Sequence, residues 1–224
     1  MGEADLARFI DRFTMEYVRV YAHPIDRVWR AITDPAEFRV WFIPGRLDAR
    51  PGGDYWFGDD GFQGLVEAID PPRLIRFGQQ HGAEQGYFEY ELTEVAGGTR
   101  MRFINHFPPG GGYAQTPGDL GGDLPGGPGT PWKPGFVGGW HEFWDALADY
   151  LDGVPVGSRL PETEFNVLAD AWTEKMERAG MFTPKQAARA ALSLRRHERW
   201  NDLNKVYREH IKVMIPPAAT GQED

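Results

Sequence analysis

Residues 47–107 break into short runs in which apolar and polar side chains alternate, and each run ends in turn residues. "RLDAR", "DYWFG", "FQGLVEAI", "RLIRFGQQH", "GYFEYELTEV" and "TRMRFINHF" are separated by Pro51-Gly52-Gly53, Asp59-Asp60-Gly61, Asp70-Pro71-Pro72, a turn at 82–86 and Gly97-Gly98. Alternation is the two-residue period of a strand buried on one face, and connections this short join antiparallel neighbours. With "MEYVRVY" upstream, the chain is expected to form an antiparallel meander of about seven strands within an α+β fold. Phe88, Tyr90 and Leu92 share one parity against Glu89, Glu91 and Thr93, and Met101, Phe103, Asn105 and Phe107 oppose Arg100 and Arg102. One face of the sheet is apolar and one is wet.

Such a sheet needs a cover. In "GGWHEFWDALADYL" the residues Phe143, Trp144, Leu147 and Leu151 follow Trp140 at offsets of three, four, seven and eleven, the spacing of one apolar helical face. This helix is expected to close the sheet. Ahead of it, more than half of residues 108–139 are Gly or Pro, with Tyr113, Trp132 and Phe136 inserted. Loops of that length are either functional lids or plain connections, and both readings stay open. Earlier in the chain, Leu6, Phe9, Ile10 and Phe13 sit at helical spacing and predict a short opening helix, while "HPIDRVWRAIT" and "DPAEF" predict two short helices in succession. In the second of these Asp34 is placed to cap and Pro35 stands at the first helical position.

After Gly153-Val154-Pro155 the texture changes again. Phe165, Leu168, Trp172 and Met176 mark one amphipathic helix; Thr183-Pro184-Lys185-Gln186 is a capping box that starts another; Trp200, Leu203, Tyr207, Ile211 and Met214 form a further stripe. These helices cannot bury their stripes alone and should fold back on the body or meet a partner. The expected organisation is a body over residues 1–158, a helical extension over 159–215 and a flexible tail over 216–224.

At 224 residues, 41% hydrophobic, the chain is long enough for one generous core with an appendage. The absence of cysteine excludes disulfides, thiolate zinc sites and cysteine nucleophiles. An acidic N-terminus, and no apolar run near the roughly 20 residues that span a bilayer, predict a soluble, cytoplasmic protein. A net charge of -9 argues against nucleic acid or anionic membrane as partners. The charge is uneven: residues 1–158 carry 13 Lys/Arg against 23 Asp/Glu, and residues 159–214 carry 11 against 8. Arg189, Arg195, Arg196 and Arg199 are therefore either a solvated helix face or a surface that docks on the acidic body or on a second copy of it.

Several motifs in order carry a family likeness. "YAHPIDRVWRAITDPAEFRVWF", "DARPGGDYWF", "GLVEAIDPPRLIRF", "GGTRMRFINHF" and "GGWHEFWDALADYLDG", spanning roughly residues 14–153, resemble the SRPBCC (START-like, helix-grip) superfamily. The subgroup is the one similar to the C-terminal domain of the activator of the heat-shock protein 90 ATPase. The resemblance implies a helix-grip fold, in which a curved antiparallel sheet wraps a long C-terminal helix around a cavity that in many relatives takes an apolar small molecule. The long Gly/Pro loop and the helices after residue 158 depart from the family pattern, so relatives' ligands are not carried over.

On inward parity, the candidate ligand-binding residues are Trp41, Trp56, Phe77, Gln79, His81, Tyr90, Phe103, Asn105, Trp140 and Trp144, an apolar set with a few polar groups. Plain core packing is the competing reading for each. Catalytic residues are not assigned: His81 with Glu84, or His106 with an acid, would make a dyad, His141 is expected at the surface margin of its helix, and no nucleophile elbow or phosphate loop is present. No spacing calls for a metal or a cofactor. The sequence thus supports an apolar small-molecule binder, with cyclase- or hydrolase-like turnover as in some relatives, or else a co-chaperone-like or homodimeric interaction module working through residues 159–214.

Overall fold

The computed structural model describes residues 6–58, 62–81, 84–109, 111 and 130–215, leaving aside the side chains of Gln80, His81 and Glu84. Its order is β1 (Arg8–Asp11), β2 (Thr14–Tyr21), α1 (Ile25–Thr33), α2 (Pro35–Trp41), β3 (Gly45–Leu47), β4 (Asp54–Phe57), β5 (Phe62–Asp70), β6 (Leu74–His81), β7 (Glu84–Val95), β8 (Gly98–His106), α3 (Pro134–Leu151), α4 (Glu164–Arg178) and α5 (Pro184–Met214). The strands form one antiparallel sheet in the order β1-β2-β8-β7-β6-β5-β4-β3. The α+β helix-grip expectation holds, with eight strands among the described residues where about seven were expected.

The additional strand is β1. The four apolar residues at 6–13 were expected to make a helix, but Arg8 pairs with Glu16 and Phe9 with Met15. Phe9 is buried while Ile10 is exposed, which is strand parity. A run this short satisfies helical and alternating patterns equally, and the sheet edge offered by β2 decides between them. The turn is locked locally, where the Phe13 N–H donates to Asp11 Oδ1 at 2.7 Å.

α2 starts as its sequence demands. Asp34 accepts from the Ala36 N–H at 2.8 Å, and Pro35 stands in the first turn. Glu37 turns to Arg27 and Arg30, at 2.5 Å each, tying α2 to α1. The two helices pack against both the sheet and α3, and Trp41 is buried there with its Nε1 donating to Ala31 O at 3.0 Å.

α3 begins at Pro134, so Gly135, Gly138 and Gly139 lie inside the helix. Two of them have a packing reason. A Cβ on Gly138 would come within 3.0 Å of the Leu203 Cβ, and one on Gly135 within 2.4 Å of the Trp200 ring, so α5 crosses α3 at its glycines. α5 is one helix of 31 residues opened by the expected capping box, in which Thr183 and Gln186 bond reciprocally. Leu203, Tyr207 and Ile211 are fully buried, and Tyr207 and His210 also bond the N–H and O of Ala7, the residue just before β1.

Candidate functional site: the inner face of the sheet beneath α3

Side-chain parity along β2, β6, β7 and β8 aims an aromatic row at α3. Phe77 pairs with Phe88, Phe88 with Asn105, Tyr90 with Phe103, and Phe103 with Tyr17 across the register. The covering stripe meets this row directly. Phe103 lies 4.4 Å from Trp140 and 4.8 Å from Trp144 between ring centroids, the two indoles stack at 5.3 Å, and Tyr90 stands edge-on to Trp144 at 5.8 Å. Trp41 closes the set at 6.2 Å from Trp144. Of the ten sequence candidates, Trp41, Phe77, Tyr90, Phe103, Trp140 and Trp144 therefore come together as one ring cluster. These rings touch one another and make a floor.

The polar candidates sit at one end of that floor. Gln79 and Asn105 are buried, at 6% and 1% exposure, and Asn105 donates from Nδ2 to Tyr87 O at 3.1 Å. Gln79 Oε1 and Asn105 Oδ1 have no hydrogen-bond partner, and neither does the Trp144 Nε1 within the ring cluster. Gln79 pairs with Gly86, which shares inward parity with Phe88 and Tyr90 but brings no side chain. Gln79 thus stands opposite a residue without a side chain, and Asn105 stands one row along, opposite Phe88. Phe136 at the start of α3 contacts Phe62 and Phe107 near this end. Of the 108–139 loop, residues 110 and 112–129 lie outside the described residues; Gly111 and residues 130–132 are buried, and Trp132 Nε1 donates to Arg12 O at 2.9 Å.

Two candidates lie elsewhere. Trp56 is half-exposed on the far side of β4, whose inward residues are Tyr55 and Phe57. Tyr55 meets Phe77 at 4.9 Å and donates to Gly78 O at 2.9 Å. The signal for this was present in the sequence, since Trp56 shares parity with Asp54 and Gly58, but Tyr55, Phe57 and Phe88 were passed over. The backbone of His81 stands opposite Glu84 in register, while the side chains of both lie outside the described residues. His106 contacts Thr14 Oγ1 through Nδ1 at 2.9 Å and stacks on Tyr87.

The outer side of α3 differs in character. His141, expected at the surface, is 2% exposed, because α5 lies across it; its Nδ1 sits 2.8 Å from Tyr207 Oη and its Nε2 3.9 Å from Asp145. Burial, with Arg19 and Arg199 nearby, drops its pKa to about 3, so the ring is neutral at physiological pH. Burial pushes Glu142 and Asp145 upward, against the pull of Arg196 and Arg199. Three of the four arginines weighed in the sequence dock on acids: Arg195 on Asp170, Arg196 on Glu142 at 2.9 Å and Arg199 on Asp145 at 3.5 Å. Beside them a cavity of about 580 Å³ opens among Arg19, Tyr21, His141, Asp152, Arg159 and Arg199. Its charges are matched internally, Arg159 to Asp149 and Asp152 and Arg199 to Asp145.

A family model described as Activator of Hsp90 ATPase homolog 1-like protein matches residues 22–152. No curated protein sequence matches the chain. Among solved structures, the solution structure of CalU16 from Micromonospora echinospora aligns over 89% of this chain and 87% of its own, at 18% identity and a TM-score of 0.50. Its crystal structure covers 85% and 88% at 19% identity with a TM-score of 0.42, and DynU16, from the dynemicin biosynthetic locus, covers 64% and 49% at 24% identity with a TM-score of 0.46. At these identities the likeness concerns the fold. The family match bears out the SRPBCC resemblance read from the motifs. No helix among the described residues is long and apolar enough to cross a membrane.

Proposed function

Because the chain belongs to the Activator of Hsp90 ATPase homolog 1-like family, we propose that its helix-grip body, residues 1–158, binds an apolar or aromatic small molecule between the sheet and α3. The observation that carries this reading is the pair of buried acceptors, Gln79 Oε1 and Asn105 Oδ1, left without partners on the inner face, the first opposite Gly86 and the second opposite Phe88. A buried acceptor without a donor costs about 1–3 kcal/mol, which a ligand hydroxyl or N–H at that place would relieve. The ligand is accordingly an apolar or aromatic body bearing at least one donor, lying at the Gln79–Asn105 end with the Phe103, Trp140 and Trp144 rings as its floor. The proposal is one of binding and assigns no reaction.

Native mass spectrometry of the purified protein, intact and after denaturation, tests it, with a titration by 2-naphthol followed through tryptophan fluorescence as a defined probe. The expected result is a released small molecule or a saturable quench, weakened at least about tenfold in Asn105→Leu and Gln79→Leu, each of which removes an acceptor that a ligand donor would use. A clean apo mass together with no saturable response to the probe overturns the reading. So does a response that both variants leave unchanged while their circular dichroism matches the parent.

A second reading, an interaction module working through residues 159–214, is favoured by one observation, the outward apolar face of α4.

A further inference from the structure

α4 is inverted with respect to its composition. It buries Asn166, Ala169 and Thr173 against α5, and it leaves Phe165 45%, Leu168 61% and Trp172 45% exposed. Asn166 Nδ2 donates to Pro161 O and Thr173 Oγ1 to Asp170 O, while Asn166 Oδ1 has no partner. The exposed residues follow at offsets of three and seven and make a single stripe. Val167 at 52% and Met181 at 68% exposure lie close by in the chain, and Trp172 rests edge-on against Phe182. A patch that unites Trp, Phe, Leu and Met marks a contact surface rather than scattered surface apolarity.

The charges along this stripe say what covers it. Glu164, Ala171 and Arg178 follow one another at seven-residue steps down one margin, acid at the N-terminal end, a small residue in the middle and a base at the C-terminal end. That order is complementary to itself when the helix is reversed. A second copy running antiparallel, with the two-fold axis at Ala171, sets Glu164 of each chain against Arg178 of the other and Leu168 beside Trp172, while the alanine lets the backbones approach. Arg178 is free to make the exchange, since its present partner is the exposed Glu174 one turn back, at 2.7 Å. We propose that α4 pairs with α4 of a second copy of the chain in an antiparallel, isologous contact. The inference rests on the reading of residues 159–214 as an interaction module.

Sedimentation equilibrium of the full chain over a concentration series tests it, alongside hydroxyl-radical footprinting of Leu168, Trp172 and Met181. The wild type is expected to form a dimer. Leu168→Asp should be monomeric with unchanged circular dichroism, and Glu164→Arg and Arg178→Glu should each weaken the dimer several-fold, whereas the two together restore it. A dimer indifferent to Leu168→Asp, or singles that the double variant does not rescue, overturns the pairing. A wild-type monomer also overturns it, and footprinting then separates two cases. A labelled stripe leaves an open interaction surface for another protein, and a shielded stripe removes the interaction reading as well.

Discussion

α3 and α4 each carry a tryptophan-bearing apolar stripe, and the fold treats them oppositely. Trp140, Trp144, Leu147 and Leu151 of α3 are almost wholly buried against the sheet, while Phe165, Leu168 and Trp172 of α4 face outward. The difference follows from what each helix meets. α3 lies over the aromatic row of the inner face, and its opposite side is taken by Leu203 and Tyr207 of α5. Because α5 commits its own stripe to α3 and β1, only its flank, with Ala187 and Arg195, remains for α4. A flank of that kind accepts the small and polar side of α4 and rejects the large one. An apolar stripe therefore states that a surface wants cover, and the neighbour's remaining surface decides whether it gets it.

The contrast can be tested from its strongest side downward. Trp144→Ala removes an indole packed between Phe103, Trp140 and Tyr90, and should lower the unfolding free energy by roughly 3–5 kcal/mol in urea titrations. A loss under about 1 kcal/mol would mean that the floor is loosely packed, and would erase the distinction between the two helices.

Next in size is an effect of pH on the outer side of α3. His141 takes up its proton near the ordinary 6.5 in the unfolded chain but only near 3 in the folded one, where burial first and then Arg19 and Arg199 oppose the charge. Between those values the unfolded state binds more protons, so the native state is destabilised as the pH falls, by an amount on the order of a few kcal/mol at the acid end. Glu142 and Asp145, pushed upward, act in the opposite direction and offset part of this loss. His141→Gln, which keeps a group able to bond Tyr207, should show a flatter stability profile across that window. Identical slopes in chemical denaturation at several pH values would show that His141 is not buried under α5.

Smaller again is the cap that sets α5 beside α4. Thr183→Ala removes the hydroxyl that accepts from the Gln186 N–H at 3.3 Å and should cost about 1 kcal/mol of thermal stability, read by calorimetry. The smallest effect belongs to the other stripe. In dilute protein, Leu168→Ala should shift unfolding by no more than about 0.5 kcal/mol, since the side chain is 61% exposed. A large loss there would mean that the stripe is covered within its own chain.

Much of the body was legible in the sequence because its signals are local. The Asp34 cap, the Thr183-Gln186 box, the turns between strands and the stripe from Trp140 to Leu151 each involve residues within a few positions of one another, and each appears where the pattern puts it. The inward polar pair, Gln79 and Asn105, was also legible, because strand parity fixes the face on which a residue stands. Parity also marks Trp56 as an outward residue, since it shares its row with Asp54 and Gly58. The residues that escaped were those whose surroundings come from far along the chain. His141 belongs to the margin of its own stripe, and only a helix some sixty residues later makes that margin an interior.

The chain by itself determined the period of the segments after residue 13, the positions of its caps and turns, its antiparallel sheet and the existence of apolar faces on α3, α4 and α5. All of these depend on backbone geometry and on side chains a turn or a strand step apart. The tertiary structure decided that residues 8–11 pair as a strand, that α5 crosses α3 at Gly135 and Gly138, that His141 is held neutral, and that α4 turns its tryptophan outward. Those outcomes depend on which distant surface reaches a given face first and with what shape. A one-dimensional pattern records that a face is apolar, but it holds no record of the partner against which the face is closed.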